Sequence, residues 1–600
     1  MLSLKIYLIL KKPSKQYTAD FETTTDPNDC RVWAWSVCSI DDKYNKAYGC
    51  RIDEFINYIS QLGNVTIYFH NLKFDSQFII SFLLGAGYKW TSQDKKTSLS
   101  FNTLINEMNI IYALEIVFSV KKYKDRTILH RVKIWDSLKK LPFPVSKIAK
   151  DFNLPISKLE LDYTSFRERE HTITLNEKEY LSNDVEIMAR ALKIQFEQGL
   201  TKMTIGSDAL TSFKKIIGKS RFENLFPNIG NETDQILREA YRGGFTWVNP
   251  RFQELDIGNM LVYDVNSLYP WAMRYNPYPC GLPIEGNGKY TNDDYHPLYI
   301  QELYCEFKVK PEHIPCLQLK HNHLYGETEY ISESKDITHL MLCDVDLDLF
   351  FKQYDVFNIT YTRYWKFSQV DDIFNDYIDY WGGIKEKSKG AVRLLAKLML
   401  NNLYGKFATS PHIIEKMPYL EDGVIKYRIA DDYFNEPVYL PIGIWCTAYA
   451  RRKTITTAQK VFTRFVYADT DSIHIIGTEQ PKELEGIVDD NKLGYWANES
   501  KPVRARFLKA KSYVEEENST NDKVDEMIAK GDNLYYYRDG KPYYLNVKCA
   551  GMPESAKQHV TFDNFHTGFT TTGKLIPRNV KGGVVLEDTE FTIKPSKLLV

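Results

Sequence analysis

Six hundred residues exceed what a single hydrophobic interior usually supports, so two or more domains are expected. Hydrophobic residues at 43% and charged residues at 26% are those of an ordinary globular protein, and a formal net charge of -1 excludes a chain whose whole surface is a polycation. The nine cysteines form no C-x-x-C pair, which disfavours a zinc site and a disulfide framework and fits a reducing cytosol. No run nears the roughly 20 apolar residues that span a bilayer, and repeats and Walker-type glycine loops are absent, which sets aside solenoids and P-loop motors.

The opening MLSLKIYLIL, with Lys5 inside it and no small-residue cleavage site, reads as a first strand or a disordered lead and not as a signal peptide. From there to a boundary near Thr204, short apolar strands such as Val65 to His70 alternate with helical patterns such as Asn176 to Gln198, the mark of an α/β unit. Within it, Asp20-Phe21-Glu22-Thr23-Thr24 sets two carboxylates on one face of a strand. Like charges held together repel, and one takes up a proton unless divalent cations neutralise them. Taken alone the pair is also what a solvated strand face looks like. Two further acidic motifs follow, Tyr68-Phe69-His70-Asn71-Leu72-Lys73-Phe74-Asp75 and Tyr180-Leu181-Ser182-Asn183-Asp184. Tyr180 and Asp184 lie four apart on one helix face, where a phenol can orient a water and a carboxylate can bind a metal. Four carboxylates and a tyrosine are what two-metal phosphodiester hydrolysis requires. Lys133, Lys139, Lys140, Lys147 and Lys150 form a basic cluster that reads either as a phosphate-tracking strip or as solvated surface.

Beyond the boundary, a strand pattern over Leu261 to Val265 delivers Asp264-Val265-Asn266-Ser267-Leu268-Tyr269-Pro270, an acid at a strand end before a turn into a helix. Asp344-Val345-Asp346-Leu347-Asp348 imitates a metal site, but no second acidic motif accompanies it, and acids at a helix N-terminus explain it. A long helical segment runs from Ile384 to Phe407. In it Lys385, Lys389, Arg393 and Lys397 recur every four residues, and Lys397, Asn401 and Tyr404 share a face. That stripe suits a triphosphate; its bland reading is a solvated helix face. A hairpin is expected from Ile413 to Tyr439, turning at Glu421-Asp422-Gly423. A strand over Phe465 to Ile475 carries Asp469 and Asp471 on one face. Lys501, Arg504, Arg506, Lys509 and Lys511 form a second basic cluster, and the acidic stretch Glu515 to Asp532 reads as a mobile loop. Two-metal phosphoryl transfer needs carboxylates converging from separate strands, which Asp264 and the Asp469–Asp471 pair supply.

The N-terminal motifs resemble the tyrosine-containing DEDD proofreading exonuclease of DNA polymerases. The resemblance implies metal ligation by Asp20, Glu22, Asp75 and Asp184, water positioning by Tyr180, and Lys158 near the scissile phosphate. It implies contacts to a single-stranded 3′ end from Thr23, Tyr68, His70, Asn71, Phe74 and Phe78, with core packing the alternative for the two phenylalanines. The later motifs, with Tyr241-Arg242-Gly243-Gly244 and Lys511-Ser512-Tyr513, resemble family B DNA polymerases in the protein-primed branch of small linear-genome phages, the phi-twenty-nine type. This implies an α/β plus α+β multidomain fold: a ribonuclease H-like exonuclease domain (1–204), then a right-hand palm, fingers and thumb polymerase domain (205–600) with two family-specific insertions. The parts are palm 205–275 and 436–549, a priming-protein insert 276–372, fingers 373–408, a strand-displacement insert 409–435 and thumb 550–600.

The same resemblance implies metal binding by Asp264, Asp471 and the Val265 carbonyl, with Asp469 in support. Nucleotide contacts fall to Leu268, Tyr269 (a gate against ribose), Lys385, Arg393, Lys397, Asn401 and Tyr404. Primer contacts fall to Lys511 and Tyr513, Tyr241 to Gly244 lie between the two sites, and Ser137 and Leu138 meet single strands and the priming protein. Implied cofactors are two Mg2+ ions per site, or Mn2+ in their place. Implied partners are primer-template DNA, dNTPs, a terminal priming protein in a heterodimer and a single-stranded-DNA-binding protein, with no membrane, in the cytoplasm of a bacterial host cell. The rival readings are a DNA-binding replication scaffold with decayed sites and a nuclease-only repair protein.

Overall fold

The computed structural model describes residues 15–595 apart from 107–108, 125, 164 and 320–328; the reading of the opening ten residues lies outside the described residues. The N-terminal unit is built on an eight-stranded sheet in the order Lys46–Gly49, Val32–Ser39, Gln16–Thr23, Val65–Phe69, Thr127–Asp136, Ile111–Lys122, Ser100–Ile105 and Lys89–Trp90. Gln16–Thr23 runs antiparallel to Val32–Ser39 and parallel to Val65–Phe69. The helix Leu175–Glu197 crosses these strands, tied down where Thr18 Oγ1 donates to the Val185 carbonyl (2.7 Å) and Ser36 Oγ to that of Leu181 (3.2 Å). A capping box between Thr174 and Glu177 starts it, satisfying backbone donors a helix end leaves open.

The second unit centres on a five-stranded antiparallel sheet in the order Trp496–Ser500, Met260–Val265, Ser472–Ile476, Phe465–Asp469, Thr246–Val248. The single strand expected over Phe465 to Ile475 is instead a tight hairpin: Thr470 turns left-handed (φ 59°), and Asp469 pairs directly with Ser472. Likewise the segment Ile384 to Phe407 is two helices, Asn375–Lys387 and Gly390–Phe407, broken where Gly390 takes φ 57°. Lys389 falls in the break, outside both helices, so the every-four stripe is not one continuous face. The acidic stretch Glu515 to Asp532, expected as a mobile loop, is the end of strand Ser512–Asn518 followed by the Thr520-capped helix Asn521–Ala529. Its acids are held in place: Glu515 is buried against His474 Nδ1 (2.8 Å), and Glu516 pairs with Arg538 (2.7 Å).

Inserted in the chain between Met260–Val265 and Phe465–Asp469, the strands Tyr278–Asn287, Tyr354–Val370, Leu298–Val309 and Thr338–Cys343 form a four-stranded sheet carrying the helix Asp344–Gln353. The acids of that helix are structural, as expected: Asp344 accepts from the Trp445 indole (2.8 Å), Asp346 pairs with buried Arg451 (2.5 Å), and Asp348 with Lys352 (2.7 Å). The expected hairpin is His412–Glu421 with Val424–Phe434, turning through Asp422 (φ 51°) and Gly423 (φ 80°), as two-residue hairpin turns require. It reaches both ways: Tyr427 donates to Gln77 Oε1 (3.0 Å) in the N-terminal unit, and Asn579 Nδ2 donates to the Ile425 carbonyl (3.2 Å) from the C-terminal hairpin Thr570–Val580/Gly583–Thr592. Phe78 belongs to the same junction, packed so tightly under Gly583 that a side chain there would clash with its ring.

The boundary near Thr204 is not a gap in the core. One apolar cluster runs from Leu141, Ile187 and Leu200 through Ile205 and Phe213 to Phe407 and Trp445. The basic clusters are likewise more paired than strip-like. Lys140 is fully buried, Lys139 pairs with Asp136 and Lys147 with Asp151, and Arg504 and Arg506 share Asp256.

Candidate functional site

Two acidic clefts emerge. In the N-terminal unit, the strand Gln16–Thr23 presents Asp20 and Glu22 together, the first turn of helix Leu72–Gly85 presents Asp75, and helix Leu175–Glu197 presents Tyr180 and Asp184. Asn71, left-handed at φ 70°, opens the Asp75 helix, and its N–H donates to Asp136 (3.0 Å). Burial and then the charge of Asp184 push the Asp20 carboxyl up to about 7, with Lys158 pulling the other way. Burial, followed by Asp20, drives Glu22 and Asp75 well above their usual range. The four acids are therefore near neighbours whose joint ionisation needs added positive charge.

Lys158 supplies some of that charge: its ammonium bridges Asp184 Oδ2 (2.5 Å) and the Tyr180 hydroxyl (3.2 Å). The Tyr180 hydroxyl also meets that of Tyr163 (3.0 Å), a residue that sequence reasoning missed because its motif is a lone aromatic in a loop. Burial raises both phenols far above their ordinary value, so they stay protonated and position other groups without acting as bases. Among the described residues no three His, Cys, Asp or Glu side chains stand ready as a cation cage. The donors nevertheless fit a hard cation: all are carboxylates, and Asp184 Oδ1 is buried with no hydrogen-bond partner.

The residues expected on a single strand divide. Thr23, His70, Phe74 and Leu138 are half-buried and Asn71 is exposed, whereas Tyr68, Phe78 and Ser137 lie in the interior. Tyr68 packs against Trp135 and Phe196, and Ser137 Oγ holds His70 Nδ1 (3.1 Å), so these two shape the wall from behind.

The second cleft, about 1110 Å³, is lined on one wall by Asp264, Val265, Ser267 and Asp471 and on the other by Lys385, Arg393, Lys397 and Asn401. Asp264 ends the strand Met260–Val265 opposite Ser472, and the Val265 N–H donates to the Asp471 carbonyl (2.8 Å). Burial, then Asp471 and Glu499, raise the Asp264 carboxyl to about 7. Burial also raises Asp471. Glu499 was not foreseen. It is the extra residue of a bulge in Trp496–Ser500, between the partners of Val262 and Tyr263, and a lone acid in a strand carries no motif. Asp469 does not share a strand face with Asp471. The turn at Thr470 sends it to Thr246 Oγ1 (2.9 Å), the Tyr467 hydroxyl (3.3 Å) and Lys511 Nζ (3.8 Å), a supporting place beside the acid pair.

On the opposite wall, burial and then Arg393 and Lys397 lower Lys385, the sign of cations crowded with too little negative charge among them. Its ammonium reaches Ser267 Oγ (3.2 Å), and Arg393 donates to the Lys385 carbonyl (2.7 Å) across the helix break. Tyr269 and Tyr404 stack at 4.1 Å, 18° from parallel, while Leu268 is buried in the core behind them. Tyr513 stacks on Phe507 at 5.1 Å, and the Lys511 N–H donates to the Tyr467 hydroxyl (3.0 Å). Tyr241 is half-buried and packed on the same cluster as the tyrosine pair. Arg242 is buried and donates to the Met341 carbonyl (2.9 Å), so its side chain faces away from solvent. Arg451 binds the carbonyls of Arg242 (2.6 Å) and Gly243 (2.7 Å), and a side chain at Gly244 would strike Thr470 at 2.9 Å. The 241–244 segment is thus clamped against the acid turn.

Residues 56–489 match the family model of DNA polymerase type B, organellar and viral. The chain belongs to the type B DNA polymerases. The DNA polymerase of Bacillus phage B103 is 45% identical over 584 residues, covering 97% of this chain and 100% of that protein. The DNA polymerase of Streptococcus phage Cp-1 is 31% identical over 612 residues, covering 97% and 99%. Phi29 DNA polymerase complexed with primer-template DNA and incoming nucleotide substrates matches this polymerase with a TM-score of 0.89 and 44% identity, covering 97% of this chain and 100% of that one. The expected multidomain α/β architecture, an exonuclease domain followed by a polymerase domain, is the one observed, and dependence on divalent metal belongs to the family. No helix among the described residues is long and apolar enough to cross a membrane.

Proposed function

We propose that the chain is a template-directed, protein-primed DNA polymerase that proofreads with a separate 3′–5′ exonuclease, processive and strand-displacing, replicating a linear phage or mobile-element genome. The observation that carries the synthetic activity is the cleft in which Asp264 and Asp471 face Lys385, Arg393 and Lys397. Crowded cations opposite crowded carboxylates match a nucleotide triphosphate whose phosphates are held by one wall and whose divalent ions are held by the other. Bound there, two Mg2+ or Mn2+ ions per site would activate the attacking oxygen and stabilise the leaving one. The chain's own residues orient: Lys385, Arg393 and Lys397 hold phosphate, Asn401 borders the nucleotide, and Lys511 with Tyr513 grips the primer strand.

In the other site Asp20, Glu22, Asp75 and Asp184 would hold the ions, with Lys158 and Tyr180 aligning phosphate and water. The assignment divides the chain into an exonuclease domain over 1–204 and a polymerase domain over 205–600, with the inserts and subdomains bounded as expected above. Primer-template DNA and dNTPs are the substrates; a terminal priming protein and a single-stranded-DNA-binding protein are the partners. The setting is the infected bacterial cell, in its cytoplasm.

Tyr269, which stacks on Tyr404, is assigned as the gate against a ribose 2′-hydroxyl. Tyr269→Val is expected to raise ribonucleotide incorporation on the order of tenfold to a hundredfold in single-nucleotide extension assays; unchanged discrimination removes the gate. The overall reading is tested by adding a primed single-stranded circle, magnesium and dNTPs without helper proteins. Products longer than the circle are expected. Arrest after one lap discounts strand displacement, degradation alone supports the nuclease reading, and retention without turnover supports the scaffold.

A further inference from the structure

Lys140 and Asp208 are both fully buried, and their bonds form a closed set. The ammonium donates all three of its protons: to Asp208 Oδ2 (2.5 Å) and to the carbonyls of Leu200 (3.0 Å) and Lys202 (2.8 Å). The other carboxylate oxygen accepts from the Lys202 N–H (2.8 Å). Two side chains thus staple the crossing between the two catalytic units, one from each side of it. A hydrophobic pair could fill the same space, whereas breaking one partner alone would leave an unpaired buried charge.

Each end of the staple continues into a site. Lys140 closes the turn Ser137–Lys139, whose Ser137 Oγ holds His70 (3.1 Å) and the Phe69 carbonyl (2.9 Å), at the start of the segment leading to Asp75. Asp208 lies on the helix Ile205–Ile217, which runs so close to Gly390–Phe407 that a side chain at Gly206 would touch the Asn402 carbonyl at 3.6 Å; Phe213 packs on Phe407 at 6.0 Å. That partner helix carries Lys397, Asn401 and Tyr404.

We propose that the Lys140–Asp208 clasp fixes the nucleotide-reading helix relative to the strand-holding turn of the exonuclease, and thereby sets how readily a frayed 3′ end passes from synthesis to excision. The pair are positioning residues: neither meets substrate. The proposal rests on the two-site reading above.

The test uses the full-length chain in three forms: wild type, Asp208→Asn, and Lys140→Met with Asp208→Leu, which removes both charges together. Three quantities are measured: extension of a matched primer, degradation of a free single strand, and the fraction of mismatched primers excised before extension. Both isolated rates should stay within about twofold of wild type, because the sites themselves are untouched. The excised fraction relative to extension should shift at least about fivefold in the double variant, and in Asp208→Asn as well, because the Lys140 charge there loses its counter-ion. An unshifted partition in both variants overturns the proposal. So does a parallel fall of all three quantities together with the melting temperature, which is the mark of a purely structural pair. Should wild type itself fail to degrade a free single strand, the two-site reading falls instead.

Discussion

Asp264→Ala is expected to lower nucleotide incorporation at least about a thousandfold, since one lost cation ligand forfeits several kcal/mol of charge stabilisation in the transition state. The carboxyl sits at a strand end beside Asp471, and burial, followed by the charge of Asp471, raises it to about 7. Removing it leaves the strand pairing of Met260–Val265 intact, because that pairing uses backbone groups alone. Degradation of a single strand should therefore proceed at the wild-type rate. Steady-state incorporation and 5′-labelled strand degradation, measured on the same preparation, check both halves, and loss of both in a folded variant ends the two-site assignment.

The converse is expected of Asp20→Ala combined with Asp75→Ala. These acids lie on a strand and a helix of the N-terminal sheet, and the charges that perturb them, Asp20, Glu22, Asp136 and Asp184 with Lys158, all belong to that unit. Excision should fall at least about a thousandfold, while incorporation on a matched primer is retained and mismatched ends persist into product. Sequencing of copied DNA gives the error frequency; an unchanged frequency would mean that excision does not edit.

The acids that line the two clefts are legible in the sequence because short spacings put them together: Asp20 and Glu22, or Tyr180 and Asp184, share a face of one element, and period two or four is visible in a string of letters. The hairpin at Asp422-Gly423 was legible for the same reason, its turn needing left-handed residues. What distance in the chain hides was not legible. Nothing near Lys140 announces Asp208, and the run of lysines around it reads as a phosphate-tracking strip or a solvated surface, whereas Lys140 is interior. Glu499 is brought to Asp264 by a bulge, and Asp469 is swung away from Asp471 by one left-handed threonine, details that strand periodicity does not carry. Tyr68 and Leu268 sit in motif positions yet point into cores, since alternation tells which side chains share a face but not which face is covered.

The hairpin His412–Phe434 touches Gln77 at one place and Asn579 at another, while Phe78 seats under Gly583. These contacts meet in one apolar cluster around Phe78, Ile425, Val580 and Val584, so the hairpin, the N-terminal unit and the C-terminal hairpin are held to one another along a single seam. If that seam closes around a threaded duplex, residence would depend on how often it parts and little on counterions, in keeping with a net charge of -1. Adding salt to a reaction already under way should spare it, whereas the same salt added beforehand should block the threading step.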